Sequence, residues 1–238
     1  MPIRINPDLP EDVTRDENNV VDITADNAIK VKNAVNNHLA YSYTVPTVRK
    51  VFETTRHASP DDLLEFEIIL RLMIIDQIDG TNLKNGFGTG CFLLMARSIQ
   101  EANLERLIAN GNPIPNRVFE SIAKRVSVTD SSKTSIFFSV VSKYIARTAQ
   151  YVYGIEYGYP IYDEVLRNHL HLYIPSLTPA RISSLKDNCD YETYCNEINN
   201  YITNLNDGKR SNELVTNLMF DQIVWFSYKA KNADQKYL

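Results

Sequence analysis

The residues best suited to chemistry lie in the stretch YVYGIEYGYPIYDEVLRNHL, residues 151–170. Asp163 follows Pro160, Ile161 and Tyr162 just where a new helical period begins. A short carboxylate at a helix start does one of two jobs. It caps the helix by accepting a hydrogen bond from an otherwise unpaired backbone N–H. Or it serves as a catalytic carboxylate, kept ionised by the helix dipole. Both jobs need the same residue type at the same place, so the spacing leaves them open.

The remaining titratable candidates are weaker. His169 and His171 are two positions apart, so on a helix they point to different faces and do not share a metal. Asp76 and Asp79 fall on one helical face, as a metal-dependent hydrolase would want, but no second acidic pair appears at comparable spacing. The run GFGTG, residues 86–90, precedes a helix without the Lys-Ser/Thr ending of a P-loop and reads as a tight turn. Cys91, Cys189 and Cys195 match neither a zinc knuckle nor a redox pair. No metal and no cofactor is expected.

These residues sit in a chain of 238 residues, 44% hydrophobic and 23% charged, enough to bury one sizeable core. Apolar runs such as IILRLMIID are interrupted by charge well short of the ~20 residues of a bilayer span. No membrane segment or secretory signal is expected, and the cytoplasm is the expected compartment. The net charge is −4, yet six basic residues face two acidic ones between Arg117 and Arg147, while the first thirty residues carry seven acidic and three basic. One DNA-facing surface on an acidic protein would give that distribution, as would a solvated helix face.

Helical spacing dominates. The expected helices include DNAIKVKNAVNNHLAYSY, PTVRKVFETTRH starting at Pro46, and SPDDLLEFEIILRLMIIDQID, which is apolar on nearly all sides and reads as central. CFLLMARSIQEANLERLIANG ends at a C-cap Gly111, and NRVFESIAKRV, TSIFFSVVSKYIARTAQYVY, YDEVLRNHLHLY, DYETYCNEINNYITNL and NELVTNLMFDQIVWFSYK follow. No strand pattern is sustained. The fold class is therefore all-α, about nine or ten helices: an extended acidic lead-in over residues 1–25 and a single helical domain over 26–238, as one body or two packed lobes with a cleft.

The order of elements from Lys124 to Leu172 resembles the helix-hairpin-helix superfamily of DNA base-excision glycosylases. In that family a basic hairpin leads into a helix, and an aspartate follows a V-P-V-D-like tetrapeptide at the next helix start. Here the tetrapeptide is Pro160-Ile161-Tyr162-Asp163, and the preceding helix follows Ser131-Ser132-Lys133-Thr134. FDQIVWFSYK, with Asp221 four residues before Trp225, resembles the closing helix of such proteins. The chain departs from the pattern in two places. The glycine-rich hairpin is replaced by Val126-Ser127-Val128-Thr129-Asp130, and the spacer from Lys133 to Asp163 is longer than usual, with YVYGIEYGY looking like a flexible aromatic insertion.

The resemblance implies a two-lobed glycosylase fold and an enzyme that flips a damaged or modified base out of double-stranded DNA and hydrolyses its N-glycosidic bond. Positive charge then develops on the sugar and an ionised carboxylate stabilises it, which is the role implied for Asp163. Lys133 occupies the place of a lysine that, where present in the family, forms a Schiff base and permits strand cleavage; its other reading is a phosphate-binding or solvated lysine. Tyr157, Tyr159, Tyr162, Phe87 and Trp225 are the candidate base contacts. Lys124, Arg125, Ser131, Ser132, Lys143 and Arg147 are the candidate DNA contacts. A monomer is expected, and modified cytosine in phage DNA, hence antiviral defence, is as acceptable a target as an oxidised or alkylated base. The alternatives are a non-catalytic helical DNA-binding protein, in which Asp163 is only a cap, and a helical nucleotide hydrolase using Asp76 and Asp79.

Overall fold

Apolar residues at helical spacing fold this chain into an all-α protein. The computed structural model describes residues 9–37, 41–79, 90–126 and 134–234. Among them are eleven α-helices: α1 Ala25–Asn37, α2 Tyr41–Thr54, α3 Glu65–Asp79, α4 Gly90–Glu101, α5 Leu104–Ala109, α6 Asn116–Ala123, α7 Phe138–Tyr153, α8 Glu164–His169, α9 Pro179–Asp187, α10 Tyr191–Asn206 and α11 Asn217–Asp234. A two-stranded antiparallel ribbon, β1 Lys124–Val126 and β2 Thr134–Ile136, joins α6 to α7, with Arg125 opposite Ser135. The buried side chains form one continuous cluster.

The helix at the centre is α7. Ten of its sixteen residues are buried, and it packs against α2, α3, α5 and α6. It stops at Gly154, whose φ of +69° is a left-handed conformation that a side chain would strain, and the N–H groups of Gly154 and Ile155 both close on Ala149 O. The expectation that α3 is central is corrected. Helix α3 buries Ile68, Leu72 and Ile75 but leaves Phe66, Leu70 and Met73 exposed, because residues spaced by four and three form one outward row.

Three further sequence expectations change. The helix expected over NRVFESIAKRV stops at Ala123, and Lys124–Val126 pairs with Thr134–Ile136, closed at its base by Phe137 N–H to Ala123 O, 2.9 Å. Three-residue strands are too short to show an alternating pattern. Pro46 does not start α2 but lies inside it, since the helix begins at Tyr41. The long helix expected from Cys91 to Gly111 is broken after Glu101, with Asn103 at φ +51°, and Glu105 in the helix that follows is turned inward. The C-cap at Gly111 is present, at φ +67°.

The described part of the lead-in is packed rather than merely extended. Val13, Val21 and Ile23 are buried, and Arg15 and Val21 form an antiparallel bridge. Asn27, fully buried in the first turn of α1, fastens it: its Oδ1 accepts from Thr14 N (3.1 Å), and its Nδ2 donates to Thr14 O (3.1 Å), Thr14 Oγ1 (3.0 Å) and Asp22 O (2.9 Å). Asn27→Ala leaves several buried backbone groups unpaired. It is expected to cost about 1–3 kcal/mol in urea unfolding. A loss of a few tenths would show that the lead-in contributes little.

Candidate functional site

The segment 154–163 between α7 and α8 is tied down by side chains from three helices. Asn217 of α11 accepts from Gly158 N (3.0 Å) through Oδ1 and donates from Nδ2 to Asn199 Oδ1 (2.9 Å), while Asn199 of α10 donates to Gly158 O (3.2 Å). The Tyr191 and Tyr194 hydroxyls of α10 donate to Pro160 O (3.0 Å) and Ile161 O (2.9 Å). Asp221 Oδ2 of α11 accepts from Ile161 N (3.1 Å), and Ser142 Oγ of α7 accepts from Tyr162 N (3.0 Å). The expectation of a flexible insertion is therefore corrected. A segment with no regular ladder of its own satisfies its buried backbone groups with side chains, and that fixes its path.

The clamped segment delivers Asp163 to the start of α8. Its Oδ1 accepts from Leu166 N (2.9 Å), the N-cap bond, and its carbonyl accepts from Arg167 N (2.9 Å). One helix away lies Asp221, only 5% exposed, one turn after Asn217 on the face of α11 that grips the segment. Its second oxygen, Oδ1, is enclosed and makes no hydrogen bond among the described residues. Burial holds the Asp221 carboxyl well above the usual carboxylate range, opposed by the Ile161 N–H and by Arg147 and reinforced by the charge of Asp163. Two carboxyl groups with different environments beside one guanidinium are an arrangement able to divide acid from base.

A small hollow opens beside Asp221, walled by Arg147, Gln150, Glu156, Tyr157 and Asn217 among others. It offers ≈ 20 Å³ to the centre of a water molecule, room for about one such molecule and not for a whole base.

The sequence candidates separate on this geometry. Arg147, Tyr157 and Tyr159 line the hollow, and Asp163 lies near enough to Asp221 for its charge to be felt there. Tyr157 is 44% exposed at its rim and has a ring face to offer. Tyr159 and Tyr162 are buried. Tyr159 donates to Asn112 O (2.7 Å), and burial pushes its hydroxyl up to about 12. Tyr162 packs its ring against Phe138 (5.1 Å) and Tyr194 (6.0 Å), a core position that leaves no face for a base. Trp225 follows Asp221 by one turn of α11 and leans on Phe226. Phe87, Ser131, Ser132 and Lys133 lie outside the described residues.

The basic candidates do not make one surface. Lys124 is exposed and paired with Glu120 (2.9 Å). Arg125 is turned back on its own chain, donating from Nη1 to Ser121 O (2.7 Å) and Lys124 O (3.0 Å), with its guanidinium half buried. Lys143, on the inner face of α7, is 6% exposed, out of reach of an external phosphate. His169 has structural surroundings, its Nδ1 bonding Val165 O (2.8 Å) and its ring stacking on Tyr228, whereas His171 Nδ1 is buried without a hydrogen bond among the described residues. Among the described residues no group of three His, Cys, Asp or Glu could hold a metal ion.

A second polar cluster escaped sequence reading. Arg71 of α3, 1% exposed, donates to Thr55 Oγ1 (2.7 Å), Thr55 O (2.6 Å) and Glu105 Oε1 (3.0 Å). Its signal was a lone arginine inside IILRLMII, which requires a buried counter-charge. Asp221 carried the same signal inside NLMFDQIVWF. Every group around Arg71 is bonded to another, so this cluster braces the core and leaves Asp163 and Asp221 as the site. No family model, curated protein or solved structure matches this chain, so its function rests on that geometry.

Proposed function

We propose that this protein hydrolyses an N-glycosidic bond of a damaged or modified base in DNA, with Asp163 as the stabilising carboxylate. The observation that carries the reading is the presentation of Asp163 at a helix start by a rigidly clamped segment, beside a buried second carboxyl and Arg147. Breaking the bond between C1′ and the base nitrogen leaves positive charge on the sugar. A carboxylate fixed in place stabilises that charge without reorganising. The exposed ring of Tyr157 supplies a stacking face for the extruded base. Because the hollow admits only a water-sized group, the base is read at one edge while its faces lie outside. Modified cytosine in phage DNA belongs to the target class on the same terms as an oxidised or alkylated base, and its release would make the role defensive.

The test is formation of abasic sites in duplex DNAs carrying single modified bases, detected with an aldehyde-reactive probe. Abasic sites on at least one substrate are expected. Salt-dependent DNA binding without them would favour the other reading, a binding protein in which Asp163 only caps α8, for which the Leu166 bond speaks.

A further inference from the structure

The Asp221 carboxyl has no structural need for its second oxygen. Oδ2 completes the clamp on Ile161 N–H, whereas Oδ1 is enclosed without a hydrogen bond among the described residues, on a side chain that is one of those lining the hollow. A buried polar atom left in that state costs stability, and an apolar or amide side chain would avoid the charge. We propose that Asp221 holds a proton on Oδ1 and donates it to a carbonyl oxygen or ring nitrogen on the edge that a nucleobase presents to the hollow. This rests on the N-glycosidic reading of Asp163.

The groups facing Asp221 agree with a neutral acid. Asp163 from the clamped segment adds negative charge and Arg147 of α7 opposes it, while Glu156 lines the same hollow. Tyr191, Tyr194 and Cys195 of α10, the first two buried and the third half-buried, are uncharged neighbours, each pushed up chiefly by burial. The enclosed position and the Asp163 charge favour the protonated form of Asp221, as two neighbouring carboxyl groups with divergent environments do. In the reaction the C1′–N bond breaks and its electron pair passes to the base. The base takes the Asp221 proton, water adds to C1′, and the proton lost by that water returns to Asp221.

The experiment uses the full chain as wild type, Asp221→Asn and Asn217→Ala. The asparagine oxygen still accepts from Ile161 N–H, so the clamp survives while the proton donor is lost. Two readouts are taken. In the first, melting temperature is followed against pH. A carboxyl whose folded pKa is raised takes up a proton on folding, so its wild-type contribution is present at acid pH and lost as pH rises through the folded value. Asp221→Asn should therefore match wild type in acid and melt higher at mildly alkaline pH. In the second, base release by Asp221→Asn should fall on the order of 10²-fold, with the alkaline limb of the pH profile gone. Asn217→Ala, which loosens the same segment without touching the proton, should slow release and keep the profile.

Equal melting curves at all pH values would overturn the proposal whatever the activity. So would full release by Asp221→Asn with an unchanged profile, leaving Asp221 as a clamp. A wild type that releases no base while the melting signature is present would remove the glycosylase reading and, with it, the base as the acceptor, while the proton on Asp221 would stand.

Discussion

Glu105→Ala is expected to destabilise the fold by about 3–5 kcal/mol, the largest stability loss of any single substitution considered. Glu105 is 6% exposed and Arg71 is 1% exposed, and they meet at 3.0 Å. The carboxylate also accepts from the Tyr144 hydroxyl (2.5 Å), the Tyr153 hydroxyl (3.2 Å) and Thr148 Oγ1 (3.5 Å). Burial, with the Glu105 charge added, holds the Tyr144 hydroxyl well above its ordinary range, so it remains a neutral donor. The Phe52 ring covers the guanidinium at 5.2 Å. Deleting the carboxylate leaves a charge buried without compensation and takes an acceptor from three hydroxyls. Glu105→Gln keeps the shape and two acceptor lone pairs and is expected to lose less. Urea unfolding measures both. A loss below about 1 kcal/mol for the alanine variant would mean that water reaches the guanidinium and that the brace is not closed.

The second large effect is on activity and separates the two roles of Asp163. Asparagine caps a helix as well as aspartate does, so Asp163→Asn should keep the Leu166 bond and change stability by only a few tenths of a kcal/mol. It removes the charge that the proposed reaction needs, and base release should fall on the order of 10²–10⁴-fold. Asp163→Ala loses both, with about 1 kcal/mol of cap energy gone in addition. Thermal melts beside release assays read the pair. An asparagine variant as active as wild type would reduce Asp163 to its cap.

What the sequence made legible was local. The helix start at Asp163 and the C-cap at Gly111 are written within a few residues of the helices they bound, and both are present. The three-residue strands were not legible, because β1 is defined by a partner ten positions on and not by its own pattern. Tyr159 and Tyr162 read as base contacts because nothing in their own segment announces Phe138, Tyr194 or the Asn112 carbonyl. Lys143 read as a DNA contact from its charge, yet it lies on a helix whose neighbours cover most of its circumference. The candidate site divides in the same way. Asp163 was marked by Pro160 and the helix after it, while Asp221 became part of the site only when α11 was laid against the segment, sixty positions from Ile161.

The most direct test of the central claim is mass spectrometry of bases released from a panel of duplex and phage genomic DNAs, hypermodified ones included, by wild type and Asp163→Asn. The account predicts a base released by the wild type and absent, or greatly reduced, with the variant. Equal release by both, or intact DNA binding with no base from either, would contradict it.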